Sequence, residues 1–355
     1  MKKILVVNLG STSSKVAYHE NDRCVLNENI EHDAAELRAA GSIPNQVEYR
    51  NRVLTAFLDR HGIAPSALDA VISRGGHTKP IEGGVYRINS AMLEQSRSHK
   101  YGYHACDLGL EFAAKLSEQG PVPLTLDPPV TCEFQELAFY SGLPEIRRRS
   151  AFHVLNQRGA GRKYAEDIGR PYEELRLVVI HMGGGVSVAA HEYGRLIDAN
   201  NALDGDGPFS TNRTGGLPVG SLVDICFAGE HDRQAMRRKI NGDGGLFAYI
   251  GETDLRKIEE RIRNGDNEAK LALDAMCYQI AKEVGAYATV LKGKVDAILF
   301  TGGMSNSGYV TDLIAESVSF IAPIVKYPGE FEMQALARGA YDALCGRREI
   351  REFSA

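Results

Sequence analysis

Long apolar runs are missing from this 355-residue chain. Nothing approaches the ~20 consecutive residues of a membrane-spanning helix, so no membrane span is expected. The N-terminal run Ile4-Leu5-Val6-Val7 stops at Asn8 and Gly10, too short for a secretory signal, and a cytoplasmic location is expected. A dominant charge is missing too: 41 Lys and Arg against 46 Asp and Glu leave a net charge of −5, which argues against a nucleic-acid surface. The six cysteines are scattered with no CxxC pair, which predicts free thiols in a reducing compartment rather than disulfides or zinc ligands. No HExxH, no GxSxG with a triad and no metal-spaced His/Cys cluster occurs. No GxGxxG follows a strand, which disfavours a dinucleotide-binding Rossmann fold, and GSTSSK at 10–15 has Ser14 where a Walker A loop needs glycine.

What is present is ordinary globular composition, 43% hydrophobic and 25% charged, with an excess of glycine. At ~150 residues per domain the length suggests two domains. The 37 glycines gather in clusters, and the chain repeats itself around two of them. Residues 5–20, LVVNLGSTSSKVAYHE, align without a gap on residues 177–192, LVVIHMGGGVSVAAHE, with 7 of 16 positions identical. About one would be expected by chance in such a comparison. Each copy reads as a buried β-branched strand, a turn of small residues (Gly10–Ser14 or Gly183–Gly185) and a returning strand. A turn without bulky side chains lets backbone N–H groups approach an anion. Two such hairpins facing one another would grip a polyphosphate.

Strands and helices alternate elsewhere. Apolar runs 69–72, 124–126 and 296–300 predict strands. Spacing predicts a helix over 46–61, with Val53, Leu54, Phe57 and Leu58 on one face, and a long one over 267–291. Pro218 fits the first turn of a helix through Phe227, and a last helix is expected over 332–344. The pattern is α/β. The domain border is placed in the polar stretch 159–175, giving domains at 1–170 and 171–331, with 332–355 completing the first.

Several residues can carry chemistry. Lys15, just past the first turn, can set a point charge on a phosphate or be a solvated hairpin lysine. A third Gly loop, Thr301 to Asn306, follows a strand and opens a helix near Asn306, where orphan N–H groups suit phosphate or ribose. Arg74 and Arg213 stand beside Gly turns and have the fork geometry for carboxylate or phosphate. Arg147-Arg148-Arg149 reads as a solvated face. Asp127 ends a strand, where α/β proteins bind ligands. His153 sits near a helix start.

Taken together, NLGSTSSK (8–15), SRGGH (73–77), LDPP (126–129), FHVLNQR (152–158), HMGGG (181–185), STNRTGGLP (210–218) and FTGGMSN (300–306) resemble the acetate/butyrate kinase family, in the family's order and over most of the chain. The paired hairpins and the later TGG loop resemble the wider sugar kinase, Hsp70 and actin superfamily. The compact length, and Gly184 where acetate kinases carry Asn, lean toward the butyrate kinases. The resemblance implies two duplicated ribonuclease H-like domains with a cleft between them. It implies reversible phosphorylation of a short-chain carboxylate by ATP, giving an acyl phosphate and ADP, with Mg²⁺. Acetate, propionate and branched acids are the alternative acceptors, and a sugar kinase or an Hsp70/actin-like ATPase module is the alternative class. Matching positions imply catalytic roles for Asp127, Arg74, His153 and Arg213, substrate binding by Arg74 and His104, and metal binding by Asn8 and Glu332. Nucleotide contacts fall to Lys15, His181, Gly183, Gly184, Gly185, Asp254, Leu255, Arg256, Gly302, Gly303, Met304, Ser305 and Asn306. A homodimer or higher homo-oligomer is implied, with no nucleic-acid or membrane partner.

Overall fold

A computed structural model describes all of residues 1–355. The chain forms two compact units: residues 1–132 with 331–355, and residues 133–330.

In the first unit a seven-stranded sheet is built from β1 (Lys3–Leu9), β2 (Ser13–Glu20), β3 (Arg23–Glu31), β4 (Ala70–Ser73), β5 (Val85–Arg87), β6 (Val122–Leu126) and, from the far end of the chain, β12 (Ile350–Glu352). Its order is β12-β5-β6-β4-β1-β2-β3. The second unit holds β7 (Arg176–Met182), β8 (Val186–Glu192), β9 (Arg195–Ala199), β10 (Ala297–Gly302) and β11 (Ile324–Pro328), in the order β11-β10-β7-β8-β9. The shared part is identical in plan. Three antiparallel strands (β1-β2-β3 or β7-β8-β9) are followed by two strands parallel to the first of them (β4 and β6, or β10 and β11). Even the irregularities correspond. The register slips between Tyr18 and His19 in one unit and between Ala190 and His191 in the other. These positions differ by 191 − 19 = 172 residues, the offset of the sequence repeat. A bulge kept at one place in both halves is a property of the repeat rather than of either environment.

Strand alternation decides which residues face which helix. Leu5, Val7 and Leu9 join Phe57 of the helix Val47–Arg60 and Phe112 of the helix Asp107–Ser117 in one core. Ile4, Val6 and Asn8 have the opposite parity, toward the helix Glu332–Leu344, which packs on β1, β4 and β6. In the second unit, Val178, Ile180 and Met182 share a core with Met276, Ile280 and Val284 of the long helix Asn267–Val290. Leu177, Val179 and His181 have the other parity, and the helix Val154–Ile168 packs on β7 and β10.

Two expectations are corrected. Residues 159–168 lie inside the helix Val154–Ile168, so the chain divides after Cys132 and residues 133–170 pack with the second unit. Arg148 is not solvated like its neighbours: it turns inward and pairs with Asp198 at 2.9 Å, donating also to Ala138 O and Ala199 O. No helix is long and apolar enough to cross a membrane.

Candidate active-site residues

In the first unit, the turn between β1 and β2 closes with Gly10 N donating to Ser13 O at 2.9 Å. A buried arginine fixes its shape. Arg50 donates from Nη2 to Ser11 O (3.0 Å) and from Nη1 to Ser14 Oγ (3.2 Å). Lys15 stands opposite Asn8 in the ladder. Because Asn8 shares the parity of Ile4 and Val6, its side chain meets Glu332 at the start of the last helix. Its Nδ2 donates to Glu332 Oε2 at 2.6 Å, although 324 residues separate them. Arg74, just beyond β4, approaches the other oxygen of Glu332 at 3.6 Å. His104 Nε2 lies 3.2 Å from Ser11 Oγ. Burial and then the Arg74 charge lower the pKa of His104, so this imidazole is neutral at pH 7. Asp127 ends β6 in a left-handed conformation (φ 43°), and its Oδ1 accepts from Gly84 N at 2.8 Å. Strain of that kind on a buried, non-glycine residue marks functional positions.

One residue of this unit escaped the sequence reading. Asp107, fully buried, accepts from His77 N (2.6 Å), His77 Nδ1 (2.8 Å), Ser96 Oγ (2.7 Å) and His104 N (2.9 Å). It ties the SRGGH loop that carries Arg74 to the segment that carries His104. Burial pushes its carboxyl up, but the hydrogen bonds from His77 and Ser96 outweigh this and hold its pKa below the ordinary value. His77, Cys106 and Asp107 place possible metal donors within 4.8 Å of one another. Asp107 is already committed to four donors, however, and burial pushes the Cys106 thiol up to about 12. The trio is a hydrogen-bond hub rather than a metal centre. Asn8 and Glu332 are different: an amide oxygen and a carboxylate are the hard donors that Mg²⁺ takes alongside water and phosphate oxygens, so these residues fit that ion.

In the second unit, the β7–β8 turn closes with Gly183 N donating to Gly185 O at 3.0 Å, and Ser210 Oγ donates to Gly184 O at 2.7 Å. His181 Nδ1 lies 3.0 Å from Asn156 Oδ1, which also accepts from Thr301 Oγ1. His153, at the N-cap of the helix Val154–Ile168, stacks on His181 with ring centroids 3.8 Å apart and planes 13° apart. Arg213 anchors one nitrogen, Nη1, on Ala202 O at 2.8 Å, while its buried Nε has no partner. Burial lowers its pKa, yet a guanidinium stays charged. Gly185 sits where these groups converge. A Cβ there would stand 2.1 Å from Arg213 Nη1 and 3.4 Å from His153 Cε1, so any larger residue must push the guanidinium away.

Gly302 (φ 87°) brings the third loop equally close to the second: a Cβ on it would stand 2.3 Å from Met182 O. Residues Gly303–Asn306 form one 3₁₀ turn, and the α-helix begins at Gly308 rather than Asn306. Asp254 caps the helix Leu255–Arg263, which reaches the third loop through Glu259, the acceptor of Ser307 Oγ. Arg256 is engaged with Asp254 at 2.7 Å. Each unit therefore gathers its own share of the expected residues. Arg50, Asp107, Asn156, Gln157 and Ser187 hold those residues in place; Asn156 and Gln157 lie in the FHVLNQR motif without being singled out, and Asp107 and Ser187 lie in no local pattern that named them.

Comparison with known proteins adds an independent finding. Residues 142–325 match the model of the acetokinase family. A probable butyrate kinase of Bacteroides thetaiotaomicron is 46% identical, over 98% of this chain and 99% of its own length. Butyrate kinase 2 of Clostridium acetobutylicum is 44% identical, over 99% of each. Among solved structures, acetate kinase of Porphyromonas gingivalis superposes with a TM-score of 0.79 at 21% identity, covering 97% of this chain and 99% of that one. That likeness shows the shared two-domain kinase fold.

Proposed function

Because this chain belongs to the acetokinase family, we propose that it transfers the γ-phosphoryl group of ATP to a short-chain carboxylate, butyrate first among them, reversibly forming an acyl phosphate and ADP. The observation that carries this reading is the 46% and 44% identity, along nearly the whole chain, to two proteins named as butyrate kinases.

The expected residues then take the following roles. A carboxylate is already ionised at pH 7 and needs no general base. The difficulty is bringing an anion to a polyanion. Arg74 and His104 bind the carboxylate, while Arg213 and His153 meet the equatorial oxygens of the moving group. Asp127, oriented by Gly84 N, completes the catalytic set. Lys15, His181, Gly183 to Gly185, Gly302 to Asn306 and the Asp254-Leu255-Arg256 tripeptide hold the nucleotide. Asn8 and Glu332 would hold Mg²⁺, which supplies charge neutralisation between phosphates when bound. Transfer is direct and in line, so positioning does most of the work. A homodimer or higher homo-oligomer belongs to the same reading. The helix Val219–Phe227, none of whose residues is buried, offers it an apolar surface.

The test is trapping of acyl phosphate as hydroxamate with ATP, Mg²⁺ and a panel of acetate, propionate, butyrate, isobutyrate and sugars. The expected result is the highest kcat/KM on butyrate or a near neighbour, since each methylene buried is worth about 0.8 kcal/mol. Phosphorylation of sugars alone, or ATP hydrolysis indifferent to any acid, overturns the proposal. Chiral γ-phosphoryl ATP should give inversion; retention would point to a phosphorylated enzyme carboxylate such as Glu332.

A further inference from the structure

We propose that Ser187, held by Gln157, fixes His153 as the neutral tautomer protonated on Nε2, so that His153 meets the moving phosphoryl group as a hydrogen-bond donor. The proposal rests on the carboxylate kinase reading for its catalytic meaning, but its structural content stands on a chain of buried hydrogen bonds whose directions can be worked out one by one.

Gln157 is fully buried on the helix Val154–Ile168. Its Nε2 lies 3.0 Å from Ser187 O and 2.8 Å from Ser187 Oγ. A carbonyl oxygen only accepts, so the amide nitrogen must face it; a flipped amide would set two oxygens against each other. Both amide hydrogens are thus spent on Ser187. Gln157 Oε1 then faces His191 Nε2 at 3.2 Å, and that nitrogen must carry hydrogen. Burial drives the pKa of His191 down to about 3, so its other nitrogen is bare and accepts from Tyr172 OH at 2.8 Å. Every direction from Tyr172 to Ser187 is now set.

The last link follows. Ser187 is fully buried, its Oγ accepts from Gln157, and its own hydrogen points to His153 Nδ1, 2.9 Å away. Nδ1 therefore accepts, and the ring proton sits on Nε2. A cationic His153 would present an N–H to Ser187 Oγ instead and strand the serine hydrogen in the interior, an uncompensated loss. The charged Arg213, which meets the same Gly185 position as His153 Cε1, opposes a second cation as well. A neutral donor suffices for the reaction, which asks no proton of it. The bond from the γ-phosphorus to ADP breaks, the bond to the carboxylate oxygen forms, and no proton changes hands.

The test uses the full-length protein labelled with ¹⁵N, read by two-bond ¹H–¹⁵N correlation at pH 7. The wild type should show His153 in the Nε2–H pattern; an Nδ1–H or imidazolium pattern overturns the proposal, whatever becomes of any variant. In Ser187→Ala the pattern should become a mixture of tautomers. Its kcat should fall about tenfold or more, with both KM values within about twofold. Ser187→Thr, which keeps the hydroxyl, should restore the pattern and kcat. A Ser187→Ala protein with the wild-type tautomer or wild-type kcat overturns the proposal. Failure of the wild type to make any acyl phosphate would sink the functional reading instead, and the tautomer spectra would still decide the structural claim.

Discussion

Replacing Gly185 by alanine should disable catalysis while sparing the fold. The new methyl would stand 2.1 Å from Arg213 Nη1 and 2.9 Å from its Cζ. Ordinary contact begins near 3.4 Å, so the guanidinium must retreat by about 3.4 − 2.1 = 1.3 Å. What moves is the far end of a flexible side chain; the β7–β8 turn need not shift. Retreat forfeits the bond to Ala202 O, about 1 kcal/mol. Melting should therefore fall by only a few degrees. On the proposed role of Arg213 at the transferring phosphoryl, the same displacement should cost about a hundredfold in kcat. Hydroxamate trapping with butyrate and ATP measures the second effect and thermal unfolding the first. Gly184→Ala serves as the stability control, because its methyl would meet no protein atom within 4 Å. A Gly185→Ala enzyme with kcat within about threefold of wild type would refute the placing of Arg213 at the reacting group.

Three further outcomes are expected. Arg213→Ala should lower kcat by two or more orders of magnitude, as for loss of a transition-state contact, and near-normal turnover would remove Arg213 from the mechanism. Asp107→Asn turns an oxygen that serves two of the four donors into an amide nitrogen and should cost about 1–3 kcal/mol in urea unfolding. Because the folded pKa of Asp107 is lowered, its contribution is present above the ordinary value of 3.8 and lost as pH falls through the folded pKa. The deficit of the Asn variant should hold steady from about pH 8 to 5 and shrink below about pH 4; a deficit that grows in acid contradicts this. Glu283 runs the other way. Burial, then the charge of Asp206, push its carboxyl up to about 7. A raised carboxyl contributes stability below its unfolded value of 4.5 that is lost as pH rises through about 7. Glu283→Gln should thus gain on the wild type in melting temperature between about pH 5 and 8, and a flat difference would refute the assignment.

The paired hairpins were legible because their signal is strong and local: continuous β-branched runs, repeated at a fixed offset and closed by small residues. The three-residue strands Val85–Arg87 and Ile350–Glu352 were not, since three residues carry no period. The border was misplaced for a physical reason. Arg162, Lys163, Glu166 and Asp167 look like a linker, but the face they leave to the sheet is Ala160, Gly161 and Ala165, which are too small to register as apolar. Arg148 could not be told from Arg147 and Arg149, because its partner Asp198 comes fifty residues later. The candidate site residues were those with a pattern around them, the Gly loops and the motifs of the family resemblance. Asp107 and Ser187 act on other side chains and sit in no motif of their own, and Gln157, although inside FHVLNQR, shows its role only through Ser187. Arg50 was within reach: it shares a helical face with Leu54 and Phe57, and a charge on an apolar face asks for a buried acceptor.

The first unit borrows its last helix and its outermost strand from the far end of the chain, and this fixes an order of events at the ribosome. The second unit is a single continuous stretch, complete once residue 330 has emerged. The first sheet, although synthesised earlier, must wait with Ile4, Val6 and Asn8 uncovered until residues 331–355 follow. The half that is made first is the half that is finished last, and it is the nascent half that a cell has most reason to shield.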